Sequence, residues 1–129
     1  MHRHTAAVAL VPDLMDRSRI AGAASRAGVA LEFAADAAAL ATRCAVGEAP
    51  PLAVVDLSRP GALDAFRRLP DEVDAVGFAP HVDDDVLTAA AAGAAAGRRQ
   101  VLPRSRFFRR LPEILSGSAA ASDGSEADA

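Results

Sequence analysis

Residues 52–69 read LAVVDLSRPGALDAFRRL. Four apolar residues, Leu52 to Val55, run straight into a lone carboxylate at Asp56, and a Pro60-Gly61 turn and an amphipathic segment follow. A continuous apolar run bounded by turn residues marks a strand buried on both faces, the arrangement typical of parallel sheets. With the two prolines before it, the stretch predicts a strand over 50–57 and a helix over 61–69, with Leu63, Phe66 and Leu69 on one stripe.

The same alternation holds on either side. TAAVALV (5–11) is a short apolar run, a first strand. DRSRIAGAASRAG (16–28) sets Ile20, Ala23, Ala24 and Ala27 at helical spacing, and Gly28 sits where a helix stops. VALEFA (29–34) alternates Val29, Leu31 and Phe33 on one face, a half-buried edge strand, and residues 36–45 open on an N-cap Asp36 and read as helix. Residues 74–79 form a fourth strand, 83–97 a helix whose first-turn acids suit its positive end and which Gly97 closes, and 99–103 a fifth strand. A last helix spans 105–115, bent or broken by Pro112. Strand followed by helix five times implies right-handed βαβ units: an α/β, doubly wound, five-stranded parallel sheet of flavodoxin-like order 2-1-3-4-5, with helices on both faces.

Composition bounds the rest. The chain of 129 residues suits one domain, expected over 1–115, followed by a disordered acidic tail over 116–129 (SGSAAASDGSEADA) too small and polar to fold. A chain ending in such a tail is expected to carry no output domain. The net charge of −3 argues against nucleic-acid binding. A single cysteine, Cys44, excludes an intrachain disulfide and suits a cytoplasmic setting, with the thiol read as a small buried residue. No apolar run reaches the about 18 residues of a membrane span, and no GxGxxG or Walker A motif occurs.

Ligands of open parallel sheets bind beyond the carboxyl ends of the strands, at the switch in strand order. Asp13 and Asp56 flank that point, Ala79 ends the fourth strand, and Arg104 follows the fifth. VVDLSRPG resembles the third strand and loop of receiver domains of two-component response regulators, whose form is apolar-apolar-Asp-Leu/Ile-x-Met-Pro-Gly. VALVPDLMDRSRI, VGFAPH and VLPRSRF resemble the first, fourth and fifth strands with their loops, so the likeness covers nearly all of 5–115. The resemblance makes Asp56 the candidate phospho-acceptor and Asp13 with Asp56 the remnant of a Mg²⁺ site. It also exposes departures. Pro12 stands where a second acid is usual, Ala79 where Thr or Ser is usual, Arg104-Ser105 where Lys-Pro is usual, and Val101 where an aromatic switch residue is usual. A carboxylate ligand, a hydroxyl donor and a compact cation are thereby lost. Arg is a planar fork that pairs bidentately with carboxylates, so Arg104 is expected to close on Asp56 or Asp13.

The resemblance therefore implies a degenerate, stand-alone receiver-like domain, not an enzyme, that signals through protein contacts without normal Mg²⁺-dependent aspartyl phosphorylation and with no resident cofactor. A phosphorylatable single-domain regulator, fed by a histidine kinase and using Mg²⁺ at Asp56, is the alternative. A small-molecule binder, with Arg104 recognising an anion at the switch point, is a third reading. In receivers the face of the fourth helix, fifth strand and last helix carries partner contacts or homodimerisation, and here it holds Arg106, Phe107, Phe108, Arg109 and Arg110, with Arg98 and Arg99 nearby. Three further clusters are read as structural. Asp13 caps a helix, and Asp83, Asp84 and Asp85 open another. His81 with Asp83 is half a metal site without a second half. His2 and His4 belong to a frayed terminus.

Overall fold

The structure is a computed structural model that describes residues 4–45, 49–80, 82, 84–92 and 98–117. The five apolar runs form one parallel sheet of order β2-β1-β3-β4-β5: β1 Ala6–Leu10, β2 Ala30–Phe33, β3 Leu52–Asp56, β4 Ala75–Ala79 and β5 Arg99–Pro103. Every residue of β3 and β4 is buried, whereas β2 alternates between exposed and half-buried positions, as an edge strand should. The expected order and strand character are those observed.

The helices follow the local signals. α1 (Leu14–Ala27) begins two residues before the expected start, directly after Asp13, which is its N-cap as expected, and it ends at Gly28 in the left-handed region (φ 73°). α2 (Ala37–Cys44) is capped by Asp36, whose carboxylate accepts from the Ala39 amide at 2.9 Å. α3 (Ala62–Arg67) follows Gly61, whose φ of 80° turns the chain after Pro60. α4 (Asp84–Ala92) carries Asp84 and Asp85 in its first turn. The last helix is two: α5 (Arg104–Arg109) and α6 (Leu111–Ser116), broken at Arg110, with Pro112 within the first turn of α6, where its missing N–H costs nothing. Ser116 thus ends a helix rather than opening the tail. The tail beyond Gly117, His2, His81, Asp83 and Gly97 lie outside the described residues.

Side chains alternate across the sheet into two cores. Ala9, Val54, Val76 and Phe78 meet α1, α5 and α6 through Ile20, Phe107 and Ile114; Val8, Val55 and Ala75 meet α2, α3 and α4 through Leu40, Phe66 and Ala90. The aromatic content concentrates in the first core. Phe78 stacks on Phe107 with ring centroids 4.3 Å apart, and Phe108 meets both edge-on at 5.6 and 4.9 Å. This corrects the expected interaction surface. Phe107 and Phe108 are core residues, because a helix that begins directly at the end of β5 turns its fourth and fifth residues back onto the sheet. Arg106 and Arg109 are exposed and Arg110 is half-buried.

The amino ends of the strands hold a second correction. His4 is buried, and its Nε2 lies 2.9 Å from Oδ2 of the buried Asp74; Arg98 Nη1 lies 3.5 Å from the other oxygen. Arg99 donates to the carbonyls of Leu69, Pro70 and Val73. The loop before β4 is therefore clamped by the residue before β1 and by the start of β5. Arg98 and Arg99 are held in this clamp, at the opposite end of β5 from the α5 arginines. Cys44 is buried as expected, and burial raises its thiol pKa. Among the described residues no helix is long and apolar enough to cross a membrane.

Gly77, in β4, has no room for a side chain. A Cβ there would lie 2.7 Å from Leu57 Cδ1 and 2.9 Å from Cγ. Gly77→Ala should therefore lose about 1–3 kcal/mol in urea unfolding. Adding Leu57→Val, which shortens the obstructing side chain, should recover part of that loss.

Candidate functional site

Three acids gather near the carboxyl ends of β1 and β3, and each is engaged within the chain. Asp13 follows β1 and Pro12. Its Oδ1 accepts from the Asp16 amide at 2.9 Å, the N-cap bond of α1. That bond holds its carboxyl below the ordinary pKa of 3.8; partial burial opposes the shift, and the Met15 amide, Arg104 and Arg59 add to it.

Asp56 ends β3 and is only 4% exposed. A buried carboxylate needs donors, and its own loop supplies them. The Ser58 amide at 3.0 Å and the Ser58 hydroxyl at 2.6 Å both donate to Oδ1, and Arg59 Nε stands 3.6 Å from Oδ2. The opening stretch can end a buried strand on an acid because the next three residues satisfy it.

The third acid is Asp16, in the first turn of α1 and 2% exposed. Arg104, the first residue of α5, closes on it with both prongs: Nη1 donates to Oδ2 at 2.7 Å and Nη2 donates to Oδ1. The expected pairing of Arg104 with Asp56 or Asp13 is thus corrected. Both acids act on Arg104 only as neighbouring charges, and with the Asp16 hydrogen bond as the main cause they raise its pKa. The reason is placement. α1 and α5 share one face of the sheet, so the fork meets the helix-borne acid before it can reach across to β3. The guanidinium also lies 5.0 Å from the Phe108 ring centroid.

Pro12 is exposed, and Ala79 is fully buried and presents a methyl where a hydroxyl would donate. Val101 is half-buried. Asp16, Ser58 and Arg59 were not singled out from sequence. Asp16 was detectable, since it lies four residues before Ile20 and seven before Ala23, on the stripe α1 buries. An acid on a buried stripe requires a partner.

As placed, these oxygens are engaged within the chain. Asp13 caps a helix, both donors of Ser58 occupy one oxygen of Asp56, and a guanidinium faces the other. Among the described residues no group of three His, Cys, Asp or Glu side chains is positioned to hold a metal ion.

No family model matches the sequence, and no curated protein does. Solved structures match in fold. A response regulator from Thermotoga maritima superposes with a TM-score of 0.65 at 14% identity, over 91% of this chain and 100% of that one. NtrX from Brucella abortus, solved in complex with ADP, superposes with a TM-score of 0.68 at 20% identity, over 97% of this chain and 30% of that one. At such identities the likeness is one of fold: a five-stranded, receiver-like α/β sheet.

Two outcomes follow from the pairings. Arg104→Met strands a buried carboxylate and should cost about 3 kcal/mol by urea denaturation, whereas the double variant Asp16→Leu/Arg104→Met should return close to the parent. For Asp13 the folded pKa is depressed, so the unfolded chain binds more protons in the acid range. The stability it contributes is present above pH 3.8 and disappears as pH falls through the lower folded value. Asp13→Asn should flatten that acid limb in thermal scans across pH.

Proposed function

We propose that the chain is a receiver-type signalling domain that acts by protein contact and does not use Mg²⁺-dependent aspartyl phosphorylation. The observation that carries this reading is the condition of Asp56. An acceptor carboxylate needs a free oxygen lone pair for the incoming phosphoryl group and a cation to offset the charge that builds up there. Here one oxygen takes two hydrogen bonds from Ser58 and the other faces Arg59. Ala79 offers no hydroxyl to sense a phosphoryl oxygen, and Arg104 is committed to Asp16. Val101 likewise brings no aromatic ring to β5, so the side chains at 79 and 101 both favour a reading without a phosphorylation-driven switch.

Protein contact is supported by what remains exposed. Leu14 and Met15, at the start of α1, are 76% and 75% exposed, and Val82, beyond β4, is 88% exposed. All three lie at the carboxyl end of the sheet. Arg106 and Arg109 extend the polar part of the surface on α5. Exposed apolar residues with arginines at their margin are the composition of a partner-binding surface. A protein partner or a second copy on this side fits the reading, and the same setting suits a cytoplasmic protein.

The alternative, a phosphorylatable regulator served by a histidine kinase, is separated by one experiment. Incubation with Mg²⁺ and acetyl phosphate, or with beryllofluoride, should give no adduct by intact mass and no chemical-shift change around Asp56. A stoichiometric adduct lost in Asp56→Asn would overturn the proposal and establish the alternative.

A further inference from the structure

A cleft of about 240 Å³ opens at the carboxyl ends of β1 and β2 and the loop after β3, on the side of the sheet away from Arg104. Leu10, Pro12, Ala34 and Pro60 give it apolar walls, and Arg17 and Arg59 give it charge. Neither guanidinium is used up. Arg17 is fixed in place, its Nε donating to the Val11 carbonyl at 2.6 Å and its guanidinium 4.8 Å from the Phe33 ring centroid, and it makes no ion pair among the described residues. Arg59 comes no nearer to Asp56 than 3.6 Å, Nε to Oδ2, beyond hydrogen-bond distance, so that contact does not consume its N–H donors. One carboxylate, Asp36, also lines the cleft, and it already accepts the Ala39 amide. Among the side chains that line the cleft, two guanidiniums face one carboxylate, a single net positive charge, with Asp56 behind Arg59.

We propose that this cleft binds a small organic monoanion, a carboxylate carried on a compact apolar body. The charge suits one negative group, and Asp36 disfavours a dianion such as a phosphate ester. The volume matches the share of about eight waters, which admits an acid of some nine heavy atoms and excludes a nucleotide. Two guanidiniums bind a carboxylate through paired N–H donors, and the apolar walls cover the body. Pro12 matters to both. An acid at that position would repel the ligand, and the ring instead widens the apolar wall. This inference goes beyond the signalling reading and uses neither oxygen of Asp56, only the guanidinium that stands beside it.

The test is an amide-resolved NMR titration of the whole chain with benzoate, hexanoate, benzamide and inorganic phosphate. Benzoate or hexanoate should shift the amides of Ala34 to Ala37 and of Gly61 and Ala62 saturably, and benzamide should not. Arg59→Gln and Arg17→Gln should each weaken binding about tenfold or more. Ala35→Leu, at an exposed position on the cleft wall, should abolish binding while leaving the melting temperature near the parent value, which separates loss of the site from loss of the fold. Equal binding of benzamide, tighter binding of phosphate than of either acid, non-saturating shifts, or undiminished binding in Arg59→Gln would overturn the proposal.

Discussion

Helices cover both faces of the five-stranded sheet, so a charged side chain in the interior has to lie where the strands stop. The buried acids and the buried histidine among the described residues obey this limit. Asp56 is the last residue of β3, and Asp16 lies one turn beyond the exit of β1. His4 and Asp74 sit just before the entries of β1 and β4. Burial of a lone carboxylate costs several kcal/mol, so each of these acids must find a donor within reach, and the loops are shaped by that search.

The two ends of the sheet solve the problem differently. At the amino end, His4 and Arg98 converge on Asp74 from segments distant in sequence, and Arg99 ties down the neighbouring carbonyls. This is a clamp between the start of the chain and the edge strand β5. At the carboxyl end, Asp13 and Asp56 are satisfied mostly by their own loops, and only Asp16 needs a distant partner, Arg104. The core beneath is aromatic on one side, with Phe78, Phe107 and Phe108 in mutual contact, and that stack seats α5 so that its first residue faces α1.

In this chain the acids are engaged by amides, a hydroxyl and guanidiniums, and arginines border the space that remains. Pro12 lines the cleft beside β1, and Arg104 locks α5 to α1.

The order of strands and helices, the edge position of β2, the glycine stop after α1 and the caps at Asp13 and Asp36 were legible in residues 4–45 and 52–103, because periodicity and capping are properties of neighbours along the chain. The departures of Pro12, Ala79 and Arg104 from the receiver pattern were legible too, since they concern which residues occupy places in a motif. The inward turn of Phe107 and Phe108 was not, nor the burial of His4, nor the choice of Asp16 over Asp13 and Asp56 by Arg104. That last pair joins residues 88 positions apart. Its existence depends on how far one helix stands from another across a sheet, a distance that only the packed chain sets, and an ion pair is decided by distance before it is decided by residue type.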